Sequence, residues 1–94
     1  MRTSEISLDV VKGYLRIDSD SEDILLNAIL DASVEYALSY TGLTIEEMDG
    51  YGDIPIAILA LCAEMYDVRQ ATVPTVHENP TIFQILGSHS KNLI

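Results

Sequence analysis

The chain has 94 residues, 48% of them hydrophobic, with fifteen Asp and Glu against five Lys and Arg and a formal net charge of −10. A chain of this length buries only about 60–65% of the surface its unfolded form exposes, so it folds on a modest margin or gains stability from partners. So acidic a surface repels phosphate backbones and disfavours tight or sequence-specific nucleic-acid binding. The single cysteine, Cys62, excludes an internal disulfide and reads as a buried thiol in a reducing compartment.

Met1 to Ile6 carries little pattern, and the opening MRTSEISLDVV lacks the apolar stretch of a signal peptide, which points to a soluble product inside the cell. From Ser7 the pattern changes. Leu8, Val11, Tyr14 and Leu15 recur on one helical face, with Ser7 as N-cap and Asp9 in the first turn, which predicts a helix over about 8–15. Gly13 inside it weakens the helix or marks the close approach of a neighbour.

The acidic run Asp18, Asp20, Glu22, Asp23 invites a calcium-loop reading and fails it. Counted from Asp18, the sixth position is Asp23 where glycine is needed, and the twelfth is Ile29 where a bidentate Glu is needed. The run reads better as a helix start, with Ser19, Asp20 or Ser21 as cap and Glu22 and Asp23 at the positive end of the helix dipole. That helix is expected to reach about Thr41, with Ile24, Leu25, Ala28, Ile29, Ala32, Tyr36, Ala37 and Tyr40 on a broad apolar face and Gly42 just past its end. Asp31 and Glu35, four apart on the other side, read as a solvated face.

Leu43 to Gly52 is a connection in which Thr44 to Met48 predicts one helical turn, with Thr44 and Glu47 at capping-box spacing. The stretch DIPIAILALCAEMYDVRQ, residues 53 to 70, is the centre of the architecture. No charge interrupts it from Ile54 to Ala63, so a helix there is apolar on every side and must be surrounded. Asp53 suits the N-cap and Pro55 the first turn. A membrane span needs roughly 20 apolar residues, and Glu64, Asp67 and Arg69 end this run too early. Tyr66 and Arg69, three apart, share a face, and Arg69 is expected to find a carboxylate, backbone carbonyls or a subunit contact.

Residues 71 to 78 read as an extended loop around Pro74 and its β-branched neighbours. Asn79 caps a last short helix with Pro80 at its first position; Ile82, Phe83, Ile85 and Leu86 are its apolar contacts and Gly87 its end. The tail SHSKNLI is either frayed or an arm that docks on a neighbour.

Catalytic chemistry has no foothold in the pattern. His77 and His89 lack a second ligand at metal-binding spacing, no phosphate loop or nucleophile elbow occurs, and a thiolate at Cys62 is disfavoured in its apolar surroundings. No catalytic, cofactor or metal residue is assigned. The reading is an all-α, small bundle of about four helices around a central apolar helix at about 54–70, with no sheet. It forms a single domain over 1–94 in which 71–94 supply a loop, a short helix and a docking arm, and its work lies in contact surfaces.

The order of these signals resembles the small all-helical head-tail connector proteins of long-tailed, double-stranded DNA bacteriophages, also known as head-completion or DNA-packaging adaptors. The matching stretches are Leu8-Asp9-Val10-Val11-Lys12 followed by Tyr14-Leu15-Arg16-Ile17-Asp18, the acidic cap Asp20 to Asp23, Tyr40-Thr41-Gly42, and the helix from Ile54 through Tyr66-Asp67-Val68-Arg69. The resemblance implies a ring of about a dozen copies beneath the portal at the unique capsid vertex, extending the channel through which DNA passes. It implies a homo-oligomer whose partners are the portal and a downstream stopper or tail protein, with DNA passing but not bound by sequence, and no membrane. It also implies a structural protein of the virion, made in the host cytoplasm and sited at the head-tail junction. The family-like positions are Tyr14, Arg16, Asp18, Tyr40, Gly42, Tyr66 and Arg69, read as architectural or interface residues. Relatives often finish with an arginine-bearing segment, where this chain offers only His89 and Lys91.

A different class of function fits the charge alone: a small acidic binding protein, such as a DNA-mimicking inhibitor or a regulatory adaptor, with acids spaced like phosphates along one face.

Overall fold

The structure is a computed structural model that describes residues 1–70 and 80–90, the side chains of 68–70 excepted. Among the described residues it is all helix, with no strand. A 3-10 turn at Thr3–Glu5 precedes α1 (Leu8–Leu15), α2 (Asp23–Thr41), the single-turn α3 (Ile45–Asp49), α4 (Ile54–Gln70) and α5 (Pro80–Ser88).

Local chemistry sets most of these limits. Ser7 Oγ accepts the Val10 amide and starts α1, while α3 carries the reciprocal box: Glu47 N–H donates to Thr44 Oγ1 at 3.2 Å and Thr44 N–H to Glu47 Oε1 at 3.1 Å. Gly42, at φ 71°, ends α2 in the left-handed conformation that glycine adopts without steric cost. Pro80 opens α5, where its missing N–H is one the helix would leave unused.

α4 sits between α2 and α5, and α1 packs across α2 and α4. Ile54, Pro55, Ala57, Ile58, Leu59, Leu61 and Cys62 are buried, so the apolar run is the core as expected; Ile56 is the departure, 56% exposed. Val11, Leu26, Met48, Ile82 and Leu86 close over it from the other helices.

Four local expectations are corrected. α2 starts at Asp23 with Glu22 in the cap position and no side-chain cap bond. Ser19 and Ser21 bond each other and the carboxylates of Asp20 and Asp23 hold Lys12, so none of the three expected caps is used as one. The apolar face of α2 is rotated from the expected one: Ile29 and Ala37 are buried as expected and Leu25 partly so, but they are joined by Leu26, Leu30, Ser33 and Thr41, whereas Ile24 is 90% exposed and Ala28, Ala32, Tyr36 and Tyr40 also lie on the surface. Gly13 is exposed with nothing near its missing side chain, so no neighbour approaches closely there. Gly87 does not end α5, which continues to Ser88. The loop at 71–78, the cap at Asn79 and the end of the tail lie outside the described residues.

Candidate interaction surfaces

The sequence-selected positions fall at two separate ends of α2. At the first end, the seven residues between α1 and α2 form an elbow carrying Arg16 and Asp18. α1 closes with a paired C-terminal motif in which Ile17 N–H donates to Lys12 O at 2.9 Å and Arg16 N–H to Gly13 O at 3.3 Å. That motif places Arg16 at φ 59°, ψ 45°, a left-handed position normally held by glycine, which costs a residue with a side chain about 1–2 kcal/mol. Arg16 and Asp18 are exposed. Tyr14, expected on the inward face of α1, is 50% exposed beside them in the chain.

Two clasps hold this elbow. Lys12 Nζ lies 2.7 Å from Asp20 Oδ1 and 2.9 Å from Asp23 Oδ1. The hydrogen bond from Lys12 holds the Asp20 carboxyl below its ordinary range, and the bonds to Asp20 and then Asp23 push the Lys12 ammonium above its own. The second clasp comes from α4: Tyr66 Oη donates to Glu22 Oε1 at 2.8 Å, bringing the distal half of the core helix to the start of α2. Arg69 continues α4 by its backbone; its side chain lies outside the described residues.

At the other end of α2, roughly 27 Å along the axis at 1.5 Å per residue, Tyr40 stacks on Tyr36 and meets Phe83 of α5 at a tilt of 50°, with ring centroids 6.0 and 5.8 Å apart. Ser90 Oγ donates to the Tyr40 carbonyl, and His89 Nε2 lies 2.7 Å from Asp53 Oδ1 while its ring stacks on Tyr51 at 4.0 Å. The start of the tail therefore docks on its own chain, and the Asp53 carboxylate is occupied there. No sequence signal marked the Asp53, Tyr51 and His89 cluster, because the three residues come from the position before α4, a loop and the tail.

The one cysteine lies in the core, bonded to its neighbours. Burial pushes the Cys62 thiol above its ordinary range, and its Sγ bonds Ser33 Oγ, which in turn meets Met65 Sδ at 3.6 Å. Among the described residues no three His, Cys, Asp or Glu gather as a metal site, and no helix is long and apolar enough to cross a membrane.

The chain is a small helical bundle with an acidic exterior, in which Cys62 and Ser33 are taken up in packing and Asp20, Asp23 and Glu22 in the clasps of the elbow. The family model described as phage gp6-like head-tail connector protein matches residues 5–84, and the chain belongs to that family. It is a structural component of the virion that meets other head or tail proteins. Comparisons with curated proteins and with solved structures give no match.

Proposed function

We propose that the protein is one subunit of a ring of about a dozen copies that docks beneath the portal and prolongs the DNA channel. Its opposite side receives the next head-completion or tail protein. In this reading residues 1–94 form one domain whose segment 71–94 ends in a docking arm; the chain is made in the host cytoplasm and works at the head-tail junction. Family membership over residues 5–84 is the observation that carries the reading.

Two physical features support it. The small core leaves stability to be gained by assembly, and a net charge of −10 per copy suits a channel wall along which DNA slides without sticking. The rival reading as a free acidic inhibitor rests on the charge alone. Native mass spectrometry and negative-stain imaging of the chain, alone and mixed with the portal protein, test the proposal: ring-sized particles are expected. A chain that stays monomeric and ignores the portal overturns it.

A further inference from the structure

A closed ring of identical subunits needs two different surfaces on each copy that fit one another. Resting on the ring reading above, we infer that these are the Arg16 corner at the end of α1 and the outward face of α2 bearing Asp31 and Glu35, each seated against a second copy of this chain.

The cations lead to the first surface. The chain has five Lys and Arg. Of the three whose side chains are described, Arg2 pairs with Glu5 and Lys12 bridges Asp20 and Asp23. Arg16 is exposed, has no ion-pair partner among the described residues, and sits at the end of a helix where glycine would relieve the backbone. The Lys12 clasp fixes the elbow around it, so the guanidinium is offered from a rigid corner with the half-exposed Tyr14 nearby in the chain.

The second surface is its electrostatic complement. Asp31 and Glu35 lie four apart on one face of α2, where like charges repel, and no base stands three or four positions from either. Both are exposed and without a partner among the described residues. Ala28 and Ala32 beside them leave the carboxylates open to approach, and Ile24, 90% exposed on the same side, supplies apolar area for a neighbour to cover. A guanidinium fork matches carboxylate oxygens in pairs. Copies that each carry −10 repel one another, so a local opposite charge favours a seam between them, and Arg16 against Asp31 and Glu35 provides it. The corner and the face differ, so the contact repeats head to tail.

Charge exchange tests the pairing, with assembly read by native mass spectrometry under conditions where wild type forms rings. R16E and the double variant D31K/E35K are each expected to lower the assembled fraction by about tenfold or more, and the triple variant R16E/D31K/E35K to restore it. R16G separates contact from folding: glycine accepts the left-handed backbone, so the monomer melts at or above the wild-type temperature while assembly is lost. Rings that form normally with R16E or R16G overturn the pairing and leave the ring reading standing, as does a triple variant that fails to recover. If R16E assembles normally but no longer retains DNA, Arg16 is a phosphate contact and the pairing is wrong. A wild-type chain that never assembles, with or without portal, overturns both.

Discussion

Two helices in this molecule end in the same left-handed turn, and they fill it differently. α2 ends on Gly42 at φ 71°, α1 on Arg16 at φ 59°. The Gly42 turn itself is closed without charge: Thr41 Oγ1 donates to Ala37 O at 2.7 Å and accepts the Leu43 amide at 3.2 Å, so the buried hydroxyl is satisfied by its own turn. Around Arg16 the turn is held by charge, through Lys12 with two carboxylates and Glu22 with Tyr66. An end that serves only the fold takes the residue of lowest strain. The exposed arginine kept against that strain is the observation from which the contact is inferred at the elbow and not at the Gly42 turn.

Both ends depend on how α2 is seated, and the largest effect is expected there. Leu26 is fully buried at the elbow end, and Leu26→Ala should destabilise the chain by about 2–5 kcal/mol, because the lost transfer energy is joined by a cavity. Ile24→Ala, two residues away and on the opposite side of the helix, should stay within about 0.5 kcal/mol of wild type. Denaturant melts of the two variants measure this contrast, and equal losses would mean that the inward face of α2 is misassigned. Next comes Gly42→Ala, which forces a side chain into the left-handed turn and should cost about 1–2 kcal/mol. The same melts check it, and a neutral result would remove the contrast between the two ends.

The helix limits were legible because short-range chemistry writes them. Ser7, the Thr44 and Glu47 box, Gly42 and Pro80 each act within one turn of the residue that reveals them. The central helix was legible from its uninterrupted apolar run. The facing of α2 was not, because its apolar residues are spread around the cylinder. The choice between Leu26, Leu30 and Ala37 on one side and Ile24, Ala28 and Ala32 on the other is made by α4 and α1. Ser33 escaped notice for the same reason: its burial makes sense only once Cys62 and Met65 lie against it. Asp20 read as a cap and Asp23 as a dipole partner, yet both are bound to Lys12, a partner eight and eleven residues back that no helix-start rule contains. Motif order likewise listed the candidate positions in one series without conveying that α2 separates Arg16 and Asp18 from Tyr40 and Gly42.

The smallest expected effect is the one most confined to one end. Lys12 is held above its ordinary value of 10.5 by Asp20 and Asp23, so its contribution to stability is fully present below that value and is lost as pH rises through the folded value above it. Asp20, held below 3.8 by Lys12, contributes stability that is present above 3.8 and lost as pH falls through its folded value. The Asp49 carboxyl follows the acid-side rule for another reason: the Ser4 amide and then the Ser4 hydroxyl hold it below 3.8. Lys12→Met should therefore shrink both the acid and the alkaline limb of a stability-against-pH profile, and Ser4→Ala only the acid limb. Asp20 is largely solvent-exposed, so the change in global stability is small. Amide hydrogen exchange gives the sharper reading. Loss of the clasp should raise exchange in the elbow and first turn of α2, residues 16 to 26, and leave the amides of Gly42 and Leu43 as protected as before, since nothing charged holds that turn. Equal acceleration at both ends would show that the elbow and the Gly42 turn open as one unit, and that Lys12 does not fix the corner independently of the rest of α2.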